Sequence, residues 1–198
     1  MEKTIAVFDF DGTLISRDSF LEFIQFVCGK KNFYIGFLLF SPLLILMKLH
    51  IYPNWKVKEK IFSYYFRGMD YRSFKLHCER FAQVIEGYKK NDVVGFLNGH
   101  LEKGHVVYVV TASIEDWVRP WCESHSVNAV IGTKMEVDRH GVITGRFSSK
   151  NCYGIEKVKR LLEIEPRREE YVLYAYGDSR GDREMLSFSD SPLNVGAI

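Results

Sequence analysis

The sequence is poor in cysteine, and no two of its cysteines are close together. None of the four has the C-x-x-C spacing of a zinc or redox site: Cys28, Cys78, Cys122 and Cys152. In a chain of 198 residues, isolated cysteines are typical of free thiols in a reducing compartment. The sequence therefore excludes a disulfide-rich secreted scaffold, and we expect a cytoplasmic protein.

The sequence also lacks a large excess of either positive or negative charge. The chain has 27 lysines and arginines against 25 aspartates and glutamates, a formal net charge of +2, so we expect no nucleic-acid partner. Repeats and low-complexity tracts are absent, and Met1 to Lys3 lead directly into an apolar run, which is unlike a signal peptide. With 46% hydrophobic residues, the chain can bury the core of one large domain or of a domain with an insertion.

The sequence does contain several short apolar runs that end in small or acidic residues. Such runs cover 5–8, 106–110, 127–131 and 171–176. Continuous apolar strands that alternate with helical segments predict a parallel sheet covered on both faces. The turn-forming stretch 138–141 separates two further short strands. We therefore predict an α/β fold, with a Rossmann-like parallel sheet, helices on both faces and a small β-hairpin.

Residues 17–87 have a different character. Phenylalanine and tyrosine recur at helical spacings, as in SFLEFIQFV and FSYYFRGM, and this pattern is typical of packed helices. We predict a helical cap at 17–87, inserted after the first strand, and a catalytic core formed by 1–16 and 88–198.

The predicted cap contains a long apolar run at 32–47, NFYIGFLLFSPLLILM, which carries no charged residue. Five lysines flank it: Lys30, Lys31, Lys48, Lys56 and Lys58. Three interpretations stay open. The run is shorter than the ~20 residues of a transmembrane helix; it suits a buried helix pair divided at Pro42; and it suits an interfacial anchor whose lysines meet anionic lipid.

Acidic or hydroxyl side chains follow three of the predicted strands: Asp9 and Asp11, Thr111 and Ser113, and Asp178 and Asp182. In an open parallel sheet, ligands bind beyond the carboxyl ends of the strands. Clustered acids there repel one another unless a cation lies among them, and Mg²⁺ prefers carboxylate, water and phosphate oxygens. Lys157 is a candidate to neutralise the rest. The pattern Ser113-Ile-Glu-Asp116 predicts a capping box at a helix start.

These residues resemble, in order and spacing, the four motifs of the haloacid dehalogenase superfamily of phosphohydrolases. The matching segments are Asp9-Phe-Asp11-Gly-Thr13, Thr111, Lys157 and Gly177-Asp178-Ser-Arg-Gly-Asp182. A cap between the first two motifs, together with the segments 133–147 and 151–158, is similar to the phosphoserine phosphatase-like subfamily. The resemblance covers nearly the whole chain.

The resemblance implies a role for each matching residue. Asp9 would be the nucleophile that forms an aspartyl-phosphate. Asp11 would be the general acid and base, with a pKa above that of Asp9. Four residues would act on the phosphoryl group: Gly12, Thr111, Ala112 and Lys157.

The resemblance also implies a metal site. Mg²⁺ would be bound by Asp9, Asp178 and Asp11, the last through its backbone carbonyl. Asp182 would act on the metal through water or through Lys157. Arg17 and Ser113 are further candidates for substrate binding.

The expected function is a Mg²⁺-dependent phosphomonoester hydrolase acting on a phosphorylated small molecule or lipid. The apolar cap is similar to a branch of the subfamily that includes phosphatidylglycerophosphatase C, which favours a lipid such as phosphatidylglycerophosphate and peripheral contact with the inner, cytoplasmic face of the membrane. The alternatives are a phosphatase of phosphoserine or another small metabolite, a phosphotransferase and a non-catalytic binding protein. The sequence predicts no oligomeric state.

Overall fold

The computed structural model describes residues 3–197, and it has a central parallel sheet with an appended hairpin. The strands are β1 (Lys3–Phe8), β2 (Val106–Ile114), β3 (Ala129–Thr133), β4 (Met135–Val137), β5 (Ile143–Phe147), β6 (Tyr171–Gly177) and β7 (Ser191–Asn194). In the described residues the main sheet is parallel, with the order β3-β2-β1-β6-β7, and β4 and β5 pair antiparallel. The predicted α/β fold with a small hairpin is confirmed.

Helices cover both faces of the sheet because the apolar strands present side chains to both. In β1, Ile5 and Val7 pack on one side with α6 (Ile155–Ile164) and α7 (Arg183–Phe188). Ala6 and Phe8 pack on the other side with α4 (Asn91–Glu102) and α5 (Glu115–Ser124). All four β1 side chains are fully buried, as expected for a strand between two helical layers.

Three helices lie between β1 and α4: α1 (Ser19–Lys48), α2 (Asn54–Phe66) and α3 (Tyr71–Glu86). Aromatic residues hold them together, with Phe23 packed against Phe66, Phe74, Phe81 and Trp117 at centroid distances of 4.8–5.5 Å. The predicted division into cap (17–87) and core stays a prediction. Met1, Glu2 and Ile198, the ends of the predicted core, lie outside the described residues.

Helix α1 breaks at Gly29 (φ 76°), whereas one of the three interpretations of the apolar run, the buried helix pair, has its division at Pro42. A positive φ is accessible to glycine at little cost. Proline lacks the N–H that would bond the carbonyl of residue i−4, and here Ser41 Oγ donates to that carbonyl, Leu38 O, at 2.8 Å. The helix therefore continues through Pro42. We call residues 30–48, beyond the break, the apolar arm.

The apolar arm is largely exposed and is not a buried helix pair. The exposed fraction is 76% for Leu38, 61% for Leu39 and 60% for Ile45. Among the described helices, α1 alone is long and apolar enough to cross a membrane, and only 6% of its most apolar window is buried. Length and composition are weak evidence for a membrane span, but the exposure leaves a large apolar surface without cover from the described residues.

Candidate active site

The strand register brings the predicted site residues to one edge of the sheet. Phe8, the last residue of β1, pairs with Val109 of β2 and with Tyr176 of β6. The next residue, Asp9, therefore lies between the ends of two neighbouring strands, and its N–H donates to Tyr176 O at 2.9 Å. Asp178 directly follows β6. The predicted convergence at the carboxyl edge of the sheet is present in the structure.

Lys157 links two of these carboxylates from helix α6. Its ammonium donates to Asp9 Oδ1 at 2.5 Å, to Asp182 Oδ1 at 2.6 Å and to Val110 O at 2.8 Å. The lysine side chain is 2% exposed. A buried ammonium needs charged partners, and the two aspartates keep the pKa of Lys157 above its usual value despite the burial.

Asp182 is engaged through both of its oxygens. Beyond the bond to Lys157, Oδ2 accepts from Ser179 N at 3.0 Å and from Ser179 Oγ at 2.7 Å. Asp178 keeps more freedom, with Oδ1 accepting from Thr13 Oγ1 at 3.0 Å. Asp182 thus links the Lys157 ammonium to the 178–182 loop, and its predicted action on the metal stays a prediction.

Asp9, Asp178 and Asp182 form an acidic cluster whose candidate ligand atoms all lie within 4.8 Å of one another. One ammonium, that of Lys157, is bonded to two of these three carboxylates. The cluster therefore carries excess negative charge in a buried setting. Hard oxygen donors at this spacing fit a divalent cation such as Mg²⁺.

Asp11 points to a different set of partners. Its Oδ1 accepts from the Ser19 N–H at 2.8 Å, and its Oδ2 accepts a short hydrogen bond from Ser113 Oγ. Ser19 Oγ in turn donates to Ser113 Oγ at 2.9 Å and accepts from Trp117 Nε1 at 3.1 Å. A buried chain of hydroxyls therefore fixes the Asp11 carboxyl.

This arrangement corrects the predicted capping box. Strand β2 continues through Ser113 to Ile114, and α5 begins only at Glu115. The Ser113 hydroxyl is used by Asp11, so it does not cap the helix. Tertiary contact has replaced the local hydrogen bond that the sequence pattern favours.

Burial raises the pKa of both motif aspartates. Burial raises the pKa of Asp9 to about 7, against the opposing effect of Lys157. Burial, with a contribution from the Asp18 carboxylate, raises the pKa of Asp11 to about 6, while the hydrogen bonds from Ser113 and Ser19 lower it. The negative charges of Asp182 and Asp11 also raise the pKa of Asp9.

The other predicted phosphate-binding residues are Thr111, Ala112 and Gly12, and their roles stay predictions. Thr111 is fully buried, and its Oγ1 accepts from Ser113 N at 3.0 Å. The carbonyl of Ala112 accepts from Thr133 Oγ1 at 3.0 Å. Gly12 has a φ of +83°, and a side chain at this position would collide with the Asp178 carboxylate. The backbone at position 12 therefore needs glycine for conformation and for space.

Arg17 is not brought into this cluster. Its side chain is 62% exposed, 4.0 Å from Glu22, and its guanidinium lies 5.7 Å from the centre of the Tyr88 ring. Two residues at the site were not predicted as site residues, Thr13 and Ser19. Thr13 could have been found from the D-x-D-x-T motif, whereas the sequence around Ser19 carries no such signal.

Comparison with known proteins identifies related chains. A model of the family described as haloacid dehalogenase-like hydrolase matches residues 6–187. Protein CicA of Caulobacter vibrioides (strain NA1000 / CB15N) is 30% identical over 192 residues, which cover 96% of this chain and 84% of that protein.

Two solved structures have the same fold. A protein with unknown function from Bordetella pertussis Tohama I has a TM-score of 0.86 at 21% identity, covering 98% of this chain and 90% of that chain. Phosphoserine phosphatase from T. onnurineus has a TM-score of 0.62 at 21% identity, covering 99% and 84% respectively. At these identities the similarity establishes the architecture alone.

Proposed function

Since this chain belongs to the haloacid dehalogenase-like hydrolase family and is one of its phosphatases, we propose that it hydrolyses phosphate monoesters through a phosphorylated Asp9. The resemblance seen in the four motifs is thereby confirmed for the family. The observation that carries the proposed mechanism is the buried Lys157 ammonium, which bridges Asp9 and Asp182 beside Asp178.

In the proposed reaction, Asp9 Oδ2 attacks phosphorus while the bond from phosphorus to the leaving oxygen breaks. Asp9 Oδ1 is held by Lys157, so the two oxygens are already distinguished by their surroundings. Asp11 gives its proton to the leaving alcohol. Asp11 then takes a proton from the water that attacks phosphorus and releases phosphate from Asp9, which restores both carboxyl groups.

Mg²⁺ bound by Asp9, Asp178 and the backbone carbonyl of Asp11 would neutralise charge on the phosphoryl group. The residues fit this ion, because the negative charge of three carboxylates exceeds the positive charge of the Lys157 ammonium. A cation near Asp9 favours the ionised form of that carboxyl. With such a charge present, the pKa of Asp9 would lie below that of Asp11, the order that a nucleophile and a proton donor require.

For the substrate we propose a phosphorylated lipid, which the enzyme meets at the inner face of the cytoplasmic membrane. The exposed apolar arm supports this choice. Residues 23–58 contain no aspartate or glutamate but include five lysines: Lys30, Lys31, Lys48, Lys56 and Lys58. Apolar surface beside basic residues binds anionic lipid surfaces. Phosphoserine or another small phosphorylated metabolite is the alternative.

The test is Mg²⁺-dependent phosphate release from phosphatidylglycerophosphate in mixed micelles, phosphatidic acid, phosphoserine and p-nitrophenyl phosphate. We expect the highest kcat/KM for a lipid phosphate. Asp9→Asn should lose turnover by about a thousandfold or more, because the nucleophile is gone, while its circular dichroism spectrum is retained.

Preference for phosphoserine would contradict the lipid proposal and leave the phosphatase mechanism intact. Undiminished release by Asp9→Asn would contradict the nucleophile assignment. Adding glycerol as an acceptor separates hydrolysis from phosphoryl transfer, since a phosphotransferase would yield glycerol phosphate in place of free phosphate.

A further inference from the structure

A cavity of about 250 Å³ lies between the apolar arm and helix α2. The arm contributes Phe37, Leu44 and Met47 to its wall, and α2 contributes Val57 and Ile61. This volume is far larger than the ~30 Å³ of one water molecule. An apolar wall of this kind gains free energy when it encloses hydrocarbon instead of water.

Two charged side chains, those of Asp18 and Lys58, line this cavity together with the apolar ones. The Lys58 ammonium lies 5.9 Å from the centre of the Phe20 ring. The residue after Asp18 is Ser19, whose N–H donates to Asp11 Oδ1 at 2.8 Å. Asp18, which lines the cavity, is thus the neighbour in sequence of Ser19, which binds the predicted proton donor.

The position of the leaving oxygen next to Asp11 determines which part of the substrate can reach this cavity. The leaving oxygen must lie within hydrogen-bonding distance of Asp11 to receive its proton. The rest of the alcohol extends from that oxygen, on the side of Asp11 and away from Asp9. Ser19 contacts the Asp11 carboxyl, and the preceding residue, Asp18, contributes to the wall of the cavity.

We propose that this cavity binds the hydrocarbon chain of the leaving alcohol, so that the substrate is a phosphate ester whose alcohol carries an apolar chain. This inference rests on the proposed function and specifies its substrate class. It also assigns a second role to the apolar arm, one face of which meets solvent or lipid while residues Phe37, Leu44 and Met47 form the wall of a substrate site.

A second cavity, of about 570 Å³, is the alternative binding site for the leaving alcohol. It lies along another face of α2, with Trp55 and Glu59 opposite Lys150 and Tyr153. Binding of the leaving alcohol in this second cavity would not depend on Met47, which lines the first cavity and not the second.

The experiment uses straight-chain alkyl phosphates from methyl to octyl, each below its critical micelle concentration and without vesicles, so that membrane binding does not contribute. Burial of each methylene should raise kcat/KM about fourfold until the cavity is filled. The wild-type series alone tests the proposal. A flat series, with measurable phosphate release throughout, would overturn it while leaving the proposed phosphatase function in place.

Two tryptophan variants provide the matched comparison. Met47→Trp fills the cavity, so the ratio of kcat/KM for octyl phosphate to that for methyl phosphate should fall towards one. Leu38→Trp adds the same side chain to the same arm at a position that is 76% exposed, and should keep the wild-type ratio. Equal ratios in both variants would contradict the assigned site, and thermal unfolding verifies that each variant is folded. Absence of release from every ester and from p-nitrophenyl phosphate would overturn the proposed function and this inference together.

Discussion

Lys157 Nζ lies 2.6 Å from Asp182 Oδ1, in a part of the interior where the side chains are 2% and 0% exposed. The same ammonium is bonded to Asp9. A buried charge that loses its partner is strongly destabilising. The contact therefore ties the stability of the fold to the geometry of the candidate active site.

Replacing this lysine should destabilise the protein and abolish turnover. Lys157→Met leaves the Asp9 and Asp182 carboxylates buried without their shared ammonium, so we expect the free energy of unfolding to fall by about 3–5 kcal/mol. Urea denaturation measures this free energy of unfolding. Lys159→Met on the same helix is the control, because Lys159 is exposed. Equal stability of the two variants would refute the bridging role.

Asp11→Asn should slow hydrolysis by an amount that depends on the leaving group. Asp11 is proposed to protonate the leaving alcohol, and general acids contribute about 10²–10⁴-fold. A phosphate ester of an ordinary alcohol needs this proton, whereas p-nitrophenolate leaves without it. We therefore expect a large loss of kcat/KM with an alkyl phosphate and a much smaller one with p-nitrophenyl phosphate. An equal loss with both substrates would rule out the acid role.

Mg²⁺ should stabilise the folded protein through the acidic cluster. The carboxylates of Asp9, Asp178 and Asp182 are close together, so a bound cation relieves their repulsion and raises the melting temperature. Differential scanning fluorimetry with and without Mg²⁺ measures the shift, which should be several degrees in the wild type.

Two aspartate variants test whether Asp178 binds the Mg²⁺ that raises the melting temperature. Asp178→Asn should lose most of the Mg²⁺-dependent shift, while Asp92→Asn, an exposed acid on α4, should retain it. The assignment of Asp178 as a ligand would not survive a full Mg²⁺ response in Asp178→Asn.

His100 should make the protein less stable in mild acid. Burial lowers the pKa of His100 from 6.5 to about 4, helped by the nearby His105 and Lys103. Its Nε2 is 2.9 Å from the Tyr176 hydroxyl. Between these pH values the unfolded chain binds the proton that the folded protein excludes, so stability is lost as the pH falls from about 6.5 towards 4.

The expected loss from His100 is below about 1.4 kcal/mol per pH unit, the limit for one proton. It is measured as the difference between wild type and His100→Gln in urea denaturation from pH 7.5 to 4.5, because buried acids also titrate in this range. The variant should show the shallower decline. His140→Gln, which changes an exposed histidine, should follow the wild type; identical pH dependence in all three proteins would show that His100 does not titrate as proposed.

Local sequence patterns predict much of the fold. The apolar runs predict β1, β2, β3 and β6 because a strand buried between two helical layers needs apolar residues on both faces. The buried-pair interpretation of the apolar run had its division at Pro42, because proline lacks the N–H that continues a helix. In the structure the helix breaks at Gly29 and continues through Pro42, where Ser41 Oγ donates to the Leu38 carbonyl.

The sequence by itself determined the family and the candidate site residues of this protein, because Asp9, Asp11, Lys157 and Asp178 directly follow strands or lie on a helix whose pattern is local. Tertiary structure alone decided how these groups are held. The Ser19 and Ser113 hydrogen bonds to Asp11 join residues up to 102 positions apart. The exposure of the apolar arm, and the cavity beneath it, likewise depend on which helix faces meet, and hydrophobicity along the chain does not encode that choice.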